Sequence, residues 1–257
     1  PFAVNIFIPN NVHYDEDTIL NYQEAISPFK EQLGLPDELI SAKNIVPEPN
    51  FKEIIDVLIQ EDIKIISFAF GVLSADLITL LKKHDIYLMG TTNCLDEAKI
   101  LAHNDIDFII AQGMEAGGHQ GGFLEPKVNP IKTADLVKEI VAHLDIPVIA
   151  TGGIMNGQMI KQFIELGASS CQLGTAFLTT AESGASKSYK NELLKFNKYN
   201  TDPTVLTKAY SGKYVRALNN EFIQQIEKTV SNIPAYPITH YLSSPIRKAA
   251  TLQGNTA

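Results

Sequence analysis

The sequence predicts an α/β protein: a (β/α)₈ TIM barrel with a smaller helical domain over the barrel mouth. Two observations carry this prediction. Short, unbroken hydrophobic runs alternate with amphipathic helical patterns, and two long irregular stretches interrupt the alternation. Unbroken apolar runs are typical of strands whose two faces are both buried in a parallel sheet. The alternation taken alone fits either a barrel or a doubly wound sheet.

The predicted elements follow one another in regular order. The apolar runs predicted as strands are residues 2–7, 63–68, 86–89, 108–111, 147–150 and 170–173. The helical patterns between them cover residues 50–59, 74–83, 94–104, 133–144 and 156–166. These amount to about six βα units, whereas a closed barrel needs eight. We therefore expect the first two units of the barrel to be missing from this chain.

The interruptions suggest a second domain. The stretch between the first two predicted strands is too long for a simple βα connection. After residue 181 the pattern becomes helical and irregular, with several prolines. We expect residues 1–9 and 50–181 to form the barrel that binds a cofactor. Residues 10–49 and 182–257 are expected to form the smaller helical domain on the substrate side.

Composition excludes several classes of protein. The 257 residues are 45% hydrophobic and carry a net charge of -8, so a nucleic-acid partner is not expected. No apolar run is long enough to span a membrane, and no signal peptide is visible at the start. The two cysteines, Cys94 and Cys171, form no disulfide framework and favour a reducing, cytoplasmic location. No histidine lies at a spacing typical of a metal site, and none is predicted.

A glycine-rich segment with a histidine follows the predicted strand 108–111. It reads AQGMEAGGHQGG and spans residues 111–122, with His119 inside it. Glycines allow positive φ and close approach of the backbone to a ligand. Barrel enzymes place catalytic groups at the carboxyl ends of their strands, and an imidazole titrates near neutral pH. His119 is therefore the predicted acid–base residue.

Two further glycine segments follow the next two predicted strands. One contains Gly152 and Gly153, and the other contains Gly174 and Thr175. Barrels often bind phosphate with the loops after their last two strands, where backbone amides and helix dipoles face the anion. Neither segment has the pattern of a P-loop or of a dinucleotide fingerprint. The sequence therefore predicts a cofactor or substrate that bears a phosphate group.

These motifs resemble those of the nitronate monooxygenases, a family also known as 2-nitropropane dioxygenases. The segment AQGMEAGGH at residues 111–119 is the most specific match. The other matching segments are VNIF at 4–7, SFAFG at 67–71, TGGI at 151–154, QLGT at 172–175 and YLSSPIR at 241–247. The family's first strand, of the form A-P-M, and its segment after the last motif have no counterpart here. On that comparison the chain is expected to be truncated at both ends.

The resemblance implies FMN as cofactor and particular roles for matching residues. FMN would be bound by Asn5, Gln112, Gly117, Gly118, Gly152, Gly153, Gln172, Leu173, Gly174 and Thr175. His119 would be the catalytic residue, and Ser67, Phe68 and Tyr241 would lie on the substrate side. The implied reaction is the oxidation of a small anionic nitronate, such as propionate 3-nitronate, by O₂ to a carbonyl compound and nitrite. A homodimeric state is left open.

Two other functions are compatible with the same motifs. The FMN-dependent enoyl-acyl-carrier-protein reductases share the fold and an EAGGH segment, and they use NAD(P)H. The AQ pair before that segment, the SFAFG motif and the long helical stretch after Thr175 favour nitronate oxidation. The other alternative is a non-catalytic module that binds flavin or phosphate and has no need of His119.

Overall fold

The computed structural model describes residues 2–9, 15–41, 50–124, 130–196 and 202–255. In chain order, the elements are β1 (Val4–Phe7), α1 (Glu16–Gln32), α2 (Phe51–Gln60), β2 (Ile65–Ala69), α3 (Ala75–Lys83), β3 (Tyr87–Thr92), α4 (Leu95–His103), β4 (Phe108–Gln112), β5 (Gly118–His119), α5 (Thr133–His143), β6 (Val148–Thr151), α6 (Gly157–Glu165), β7 (Ser170–Gln172), α7 (Thr175–Leu178), α8 (Lys187–Phe196), β8 (Thr204–Thr207), β9 (Val215–Leu218), α9 (Glu221–Thr229) and α10 (Ile238–Leu252). Among these residues, no helix is long and apolar enough to span a membrane.

The chain folds into two compact units. The first comprises Pro1–Asn11 and Pro49–Ala176, and the second comprises Val12–Glu48 and Phe177–Ala257. The first unit holds the alternating strands and helices, together with every glycine segment singled out in the sequence. The predicted role of the second unit on the substrate side stays a prediction.

The parallel sheet of the first unit runs in sequence order. Within the described residues its six strands are arranged β1-β2-β3-β4-β6-β7, and each neighbouring pair is parallel. A doubly wound sheet reverses its strand order at a switch point, whereas a barrel adds each strand beside the previous one. The unbroken order therefore confirms the (β/α) barrel and excludes the doubly wound alternative.

The core of the first unit lies between the sheet and its helices. Alternate strand residues, such as Ile66, Leu88 and Ile109, are fully buried and pack against helix residues such as Leu81 and Leu101. Burying each side chain of this size contributes about 1.5–3 kcal/mol. The other residues of each strand face away from the helices.

Helix starts in the first unit agree with the signals in the sequence. The side chains of Asn50, Ser74 and Asn156 each accept a hydrogen bond from a backbone amide in the first turn of α2, α3 and α6, respectively. Such N-caps satisfy amide groups that have no partner inside the helix. These caps place each helix start within a residue or two of its predicted position.

The second unit has its own hydrophobic core. Helices α1, α9 and α10 contribute residues such as Ile19, Phe222 and Ile246 to it. The buried Tyr22 hydroxyl donates to the carbonyl of Ala209 at 2.7 Å. Strands β8 and β9 pair antiparallel in this unit. The sequence predicted a helical and irregular pattern after residue 181 and did not locate strands β8 and β9, whose short runs carry no clear alternation.

Candidate active site

Three glycine segments meet at one edge of the parallel sheet. We call residues 113–124 the histidine loop, residues 152–156 the Gly-Gly loop and residues 173–175 the Gly-Thr loop; they follow β4, β6 and β7. In the sheet Gln112 lies opposite Thr151, and Thr151 lies opposite Gln172. The Thr151 hydroxyl also donates to the Gln172 carbonyl at 3.0 Å. The three loops therefore leave the sheet side by side.

Direct contacts hold these loops together. A Cβ at Gly117 would lie 2.6 Å from Thr175 Oγ1, which brings the histidine loop against the Gly-Thr loop. A Cβ at Gly153 would lie 2.9 Å from the Cβ of Glu115, which brings the Gly-Gly loop against the histidine loop. Real Cβ atoms do not approach other heavy atoms so closely, because protein interiors are already close-packed and leave no room for an added atom. Glycine is therefore required where the loops touch.

A buried threonine links two of the loops to a helix. Thr133, the first residue of α5, is 1% exposed. Its Oγ1 lies 2.8 Å from Glu115 Oε2 and 3.1 Å from the Gly152 carbonyl oxygen. Its backbone amide donates to the same Glu115 oxygen at 2.9 Å. Because a carboxylate at a helix N-terminus also complements the helix dipole, Glu115 ties the histidine loop firmly to α5.

His119 lies next to an aromatic pair. Its ring makes an edge contact with the ring of Phe70 at 5.9 Å, and Phe70 stacks on Phe7 at 4.6 Å. Phe70 is 2% exposed and has a φ of 74°, a left-handed conformation that is unfavourable for a bulky residue. Such strain concentrates at functional sites, where the surrounding structure maintains it. Phe70 was not predicted as a site residue.

A network of polar side chains is hydrogen-bonded to the backbone of the histidine loop. The Gln112 side chain donates to the His119 carbonyl at 3.0 Å and accepts from the Gly121 amide at 2.7 Å. Asn93 in turn donates to Gln112 Oε1 at 2.9 Å. Gln112 was predicted to bind the cofactor, but the structure shows its carboxamide bonded to the loop itself. Sequence patterns gave no signal for Asn93, because loop asparagines are common.

The predicted residues on the first two strands have different surroundings. Asn5 and Ser67 are opposite each other in the β1–β2 register, and the Ser67 hydroxyl donates to Asn5 Oδ1 at 2.9 Å. Both side chains have exposed surface. Phe68 is 0% exposed and belongs to the core against the helices. The prediction that Phe68 faces the substrate was wrong, because neighbouring residues of a strand point to opposite faces.

The remaining candidate lies in the second unit. Tyr241 is 38% exposed on α10, and its ring makes an edge contact with His240 at 5.7 Å. Arg247 approaches His240 Nδ1 at 3.2 Å. Burial lowers the pKa of His240 below its usual 6.5, and the positive charges of Arg247 and Lys248 lower it further. The neutral form of this imidazole is therefore favoured.

The two thiols do not present an activated nucleophile. Burial raises the pKa of Cys94 and of Cys171 above the usual value for a thiol. Because thiolates are the reactive species, both residues are poor nucleophiles near neutral pH.

The three loops suit a ligand that carries a phosphate group. Around Gly118 and Gly174 no heavy atom lies within 4 Å of the position a Cβ would take, so open space borders these backbones. Gly152, at φ 125°, and Gly153, at φ 69°, adopt conformations that turn the backbone sharply at the end of β6. Helix α6 starts soon afterwards, and the N-terminus of a helix attracts anions. This arrangement can cradle a phosphate beside His119.

Comparison with known proteins assigns the chain to a family. A family model described as nitronate monooxygenase matches residues 1–257. A probable nitronate monooxygenase from Staphylococcus aureus (strain JH9) is 41% identical over 256 residues, covering 99% of this chain and 70% of that relative. Among solved structures, a nitroalkane oxidase from Streptomyces ansochromogenes is 32% identical, with a TM-score of 0.84. That match covers 100% of this chain and 72% of the other.

A more distant structure shares the fold alone. FabK from Thermotoga maritima has a TM-score of 0.61 at 21% identity, over 98% of this chain and 76% of that chain. The family assignment therefore rests on the match along the entire chain and on the closer relatives. By these criteria the chain belongs to the nitronate monooxygenase family, a family of flavin-dependent oxidoreductases.

Proposed function

We propose that this chain binds FMN and oxidises small alkyl nitronates with O₂, giving a carbonyl compound and nitrite. The observation that carries the proposal is the convergence of three glycine loops beside His119 at one edge of the barrel sheet. The matches to a probable nitronate monooxygenase and to a nitroalkane oxidase support it independently.

The glycine loops are the proposed phosphate site. The FMN phosphate would bind the backbone amides of Gly152, Gly153, Gly174 and Thr175. Gly117 and Gly118 would let the histidine loop approach the same group, because neither carries a side chain that would obstruct it. Gln172 and Leu173 would border the cofactor from the end of β7. When bound, FMN supplies the electron-accepting chemistry that amino acid side chains lack.

The ring end of the cofactor would lie toward the first strands. Asn5 and Ser67 are joined by a hydrogen bond and keep exposed surface. Their side chains therefore present polar groups on the face of the sheet opposite to the helix-packed core. We assign Asn5 to the cofactor and Ser67 to the substrate side. Gln112 would contribute mainly by shaping the histidine loop, since its carboxamide already has partners there.

His119 is the proposed catalytic residue. An imidazole can donate a hydrogen bond to an anionic nitronate, and it can transfer a proton when the substrate enters as the neutral nitroalkane. Gln112 donates to its backbone carbonyl, and Phe70 makes an edge contact with its ring. Such a fixed donor favours one orientation of the substrate and therefore contributes to rate through positioning. Tyr241 is proposed as a further group on the substrate side.

Oxygen uptake and nitrite release test this proposal. The chain, purified and reconstituted with FMN, is given propionate 3-nitronate or the neutral nitro compound, and both products are measured. We expect oxygen consumption with the nitronate that is stoichiometrically linked to nitrite. His119→Asn should reduce kcat/KM by about 10²–10⁴-fold, the usual contribution of a positioned acid–base group. The matched control is His143→Asn, because His143 is exposed on α5 in the same unit.

Each alternative function predicts a different result. NADPH oxidation that depends on a crotonyl thioester, without nitronate oxidation, would establish the enoyl reductase instead. FMN binding with no turnover of either substrate would establish a non-catalytic flavin module. Unchanged nitronate turnover in His119→Asn would refute the catalytic role of that residue, even if the chain does oxidise nitronates.

A further inference from the structure

Glu97 is a buried carboxylate that lies outside the predicted site. It sits in the first turn of α4 and is 2% exposed. Its Oε2 accepts from the backbone amide of Asn93 at 2.6 Å. Its Oε1 accepts from the amides of Phe123 and Leu124, the latter at 2.7 Å. One carboxylate therefore joins the start of α4 to the far end of the histidine loop, 26 and 27 residues away in sequence.

The same network reaches the residues beside His119. Asn93, held by Glu97 through its backbone, accepts from the Gly122 amide through its side chain and donates to Gln112 Oε1 at 2.9 Å. Gln112 contacts the His119 carbonyl and the Gly121 amide. Every residue from 119 to 124, apart from Gln120, is thus hydrogen-bonded to Glu97, Asn93 or Gln112 through its backbone.

Steric contacts reinforce this arrangement. A Cβ at Gly122 would lie 2.5 Å from Asn93 Oδ1 and 2.7 Å from Glu97 Oε1. A Cβ at Gly121 would lie 2.6 Å from the side chain of Thr91. The backbone at Gly122 is therefore packed directly on the polar groups of Asn93 and Glu97, and the backbone at Gly121 is packed on Thr91. The Gly121 carbonyl also accepts from the amide of the strained Phe70 at 2.8 Å, which couples the loop to the aromatic contact of His119.

We propose that Glu97 is a positioning residue, which fixes the histidine loop and thereby the orientation of the His119 imidazole. Because Glu97 is buried and its oxygens accept from backbone amides, we assign it no direct part in the chemistry. A charged acceptor holds backbone amides more strongly than a neutral one does. The amides of Phe123 and Leu124 both donate to the Glu97 carboxylate. Without that charge, the loop end would detach and His119 would sample several orientations. The effect on catalysis rests on the proposed function, but the effect on the loop does not.

The decisive variant is Glu97→Gln, with Asp96→Asn as the matched control. Asp96 lies in the same first turn of α4, so its replacement removes the same charge from the same helix terminus. Its side chain is 78% exposed and pairs only with Lys99 among the described residues. Glu97→Asp keeps the charge on a shorter side chain. It serves as the second variant if Glu97→Gln does not fold, and it should give an intermediate result.

Amide hydrogen exchange is the first readout. In Glu97→Gln, peptides covering residues 119–124 should exchange about tenfold faster or more, because a hydrogen bond to a charged group is lost. The Asn93 amide, which donates to the same carboxylate, should also exchange faster. The rest of the barrel should exchange as in the wild type, and Asp96→Asn should show no change in these peptides. Unchanged protection of the loop in Glu97→Gln would overturn the proposal, and this result is independent of any activity.

Kinetics provide the second readout. We expect Glu97→Gln to lower kcat for nitronate by about 30-fold or more, since small displacements of a catalytic group have large effects on rate. KM and the FMN dissociation constant should stay within about twofold, which a general loss of folding would not produce. A loss of FMN affinity equal to the loss of kcat would contradict a positioning role. Absence of nitronate oxidation in the wild type would refute the proposed function and leave the exchange result to decide the role of Glu97.

Discussion

Gly152→Ala is the substitution that probes the glycine loops most directly. Gly152 has a φ of 125°, a region of the backbone map that is essentially reserved for glycine. A Cβ there would lie 2.6 Å from Thr133 Oγ1 and 3.2 Å from the Ala116 amide nitrogen. The backbone strain costs about 1–3 kcal/mol, and the overpacking costs about 1–3 kcal/mol more. We therefore expect a loss of about 2–6 kcal/mol, which is a large part of the 5–15 kcal/mol typical of a domain.

Unfolding in urea, monitored by circular dichroism, measures this loss of stability. Gly157→Ala is the matched control. Gly157 is the first residue of α6, five positions along, and no heavy atom lies within 4 Å of its Cβ position. Alanine at a helical position that it can adopt should stabilise by about 0–1 kcal/mol. FMN affinity should fall in Gly152→Ala and stay unchanged in the control. If the two variants were equally stable, the close packing of the Gly-Gly loop would be refuted.

Two further predictions concern the aromatic contact and the second unit. Phe70→Leu and Phe68→Leu should each destabilise the fold by about 1–3 kcal/mol. Only Phe70→Leu should lower kcat, by about tenfold, because the Phe70 ring contacts His119 whereas Phe68 lies in the core. Equal kcat values in the two variants would contradict this difference between the two residues. In the second unit the pKa of His240 is lower in the folded state than the 6.5 of an unperturbed imidazole, so the unfolded chain gains a proton at a higher pH than the folded chain does. The free energy of unfolding should therefore decline as pH falls below about 6.5, until the pKa of the folded state is reached. His240→Asn should flatten this decline, which urea titrations at several pH values measure. An unchanged pH profile in the variant would show that His240 is not responsible.

Much of the barrel could be predicted from the sequence because its signals are local. Hydrophobic runs marked the strands, and helical patterns beginning at residues 50, 74 and 156 marked helix starts, where the structure shows N-caps. The glycine segments could be located in the same way, since each follows a strand. The choice between a barrel and a doubly wound sheet needed the strand order, which is a property of the folded chain.

The supporting residues could not be predicted, because their roles arise from contacts that are distant in sequence. Glu97 contacts amides 26 and 27 residues further on, and Thr133 lies 19 residues from Gly152. Phe68 and Phe70 belong to one motif, and only the structure shows that Phe68 enters the core while Phe70 turns into a left-handed conformation beside His119. No periodic pattern in the sequence distinguishes such positions.

Titration of the purified chain with FMN and with riboflavin tests the central claim most directly. Riboflavin has the same ring system but lacks the phosphate, so the difference in affinity isolates the contribution of the glycine loops. Hydrogen bonds to a charged group contribute about 1.5–3 kcal/mol each, and two such bonds predict a preference for FMN of about 10²-fold or more. Flavin fluorescence provides the readout. Equal dissociation constants for the two flavins would show that the loops do not bind a phosphate, and the account of this site would be wrong.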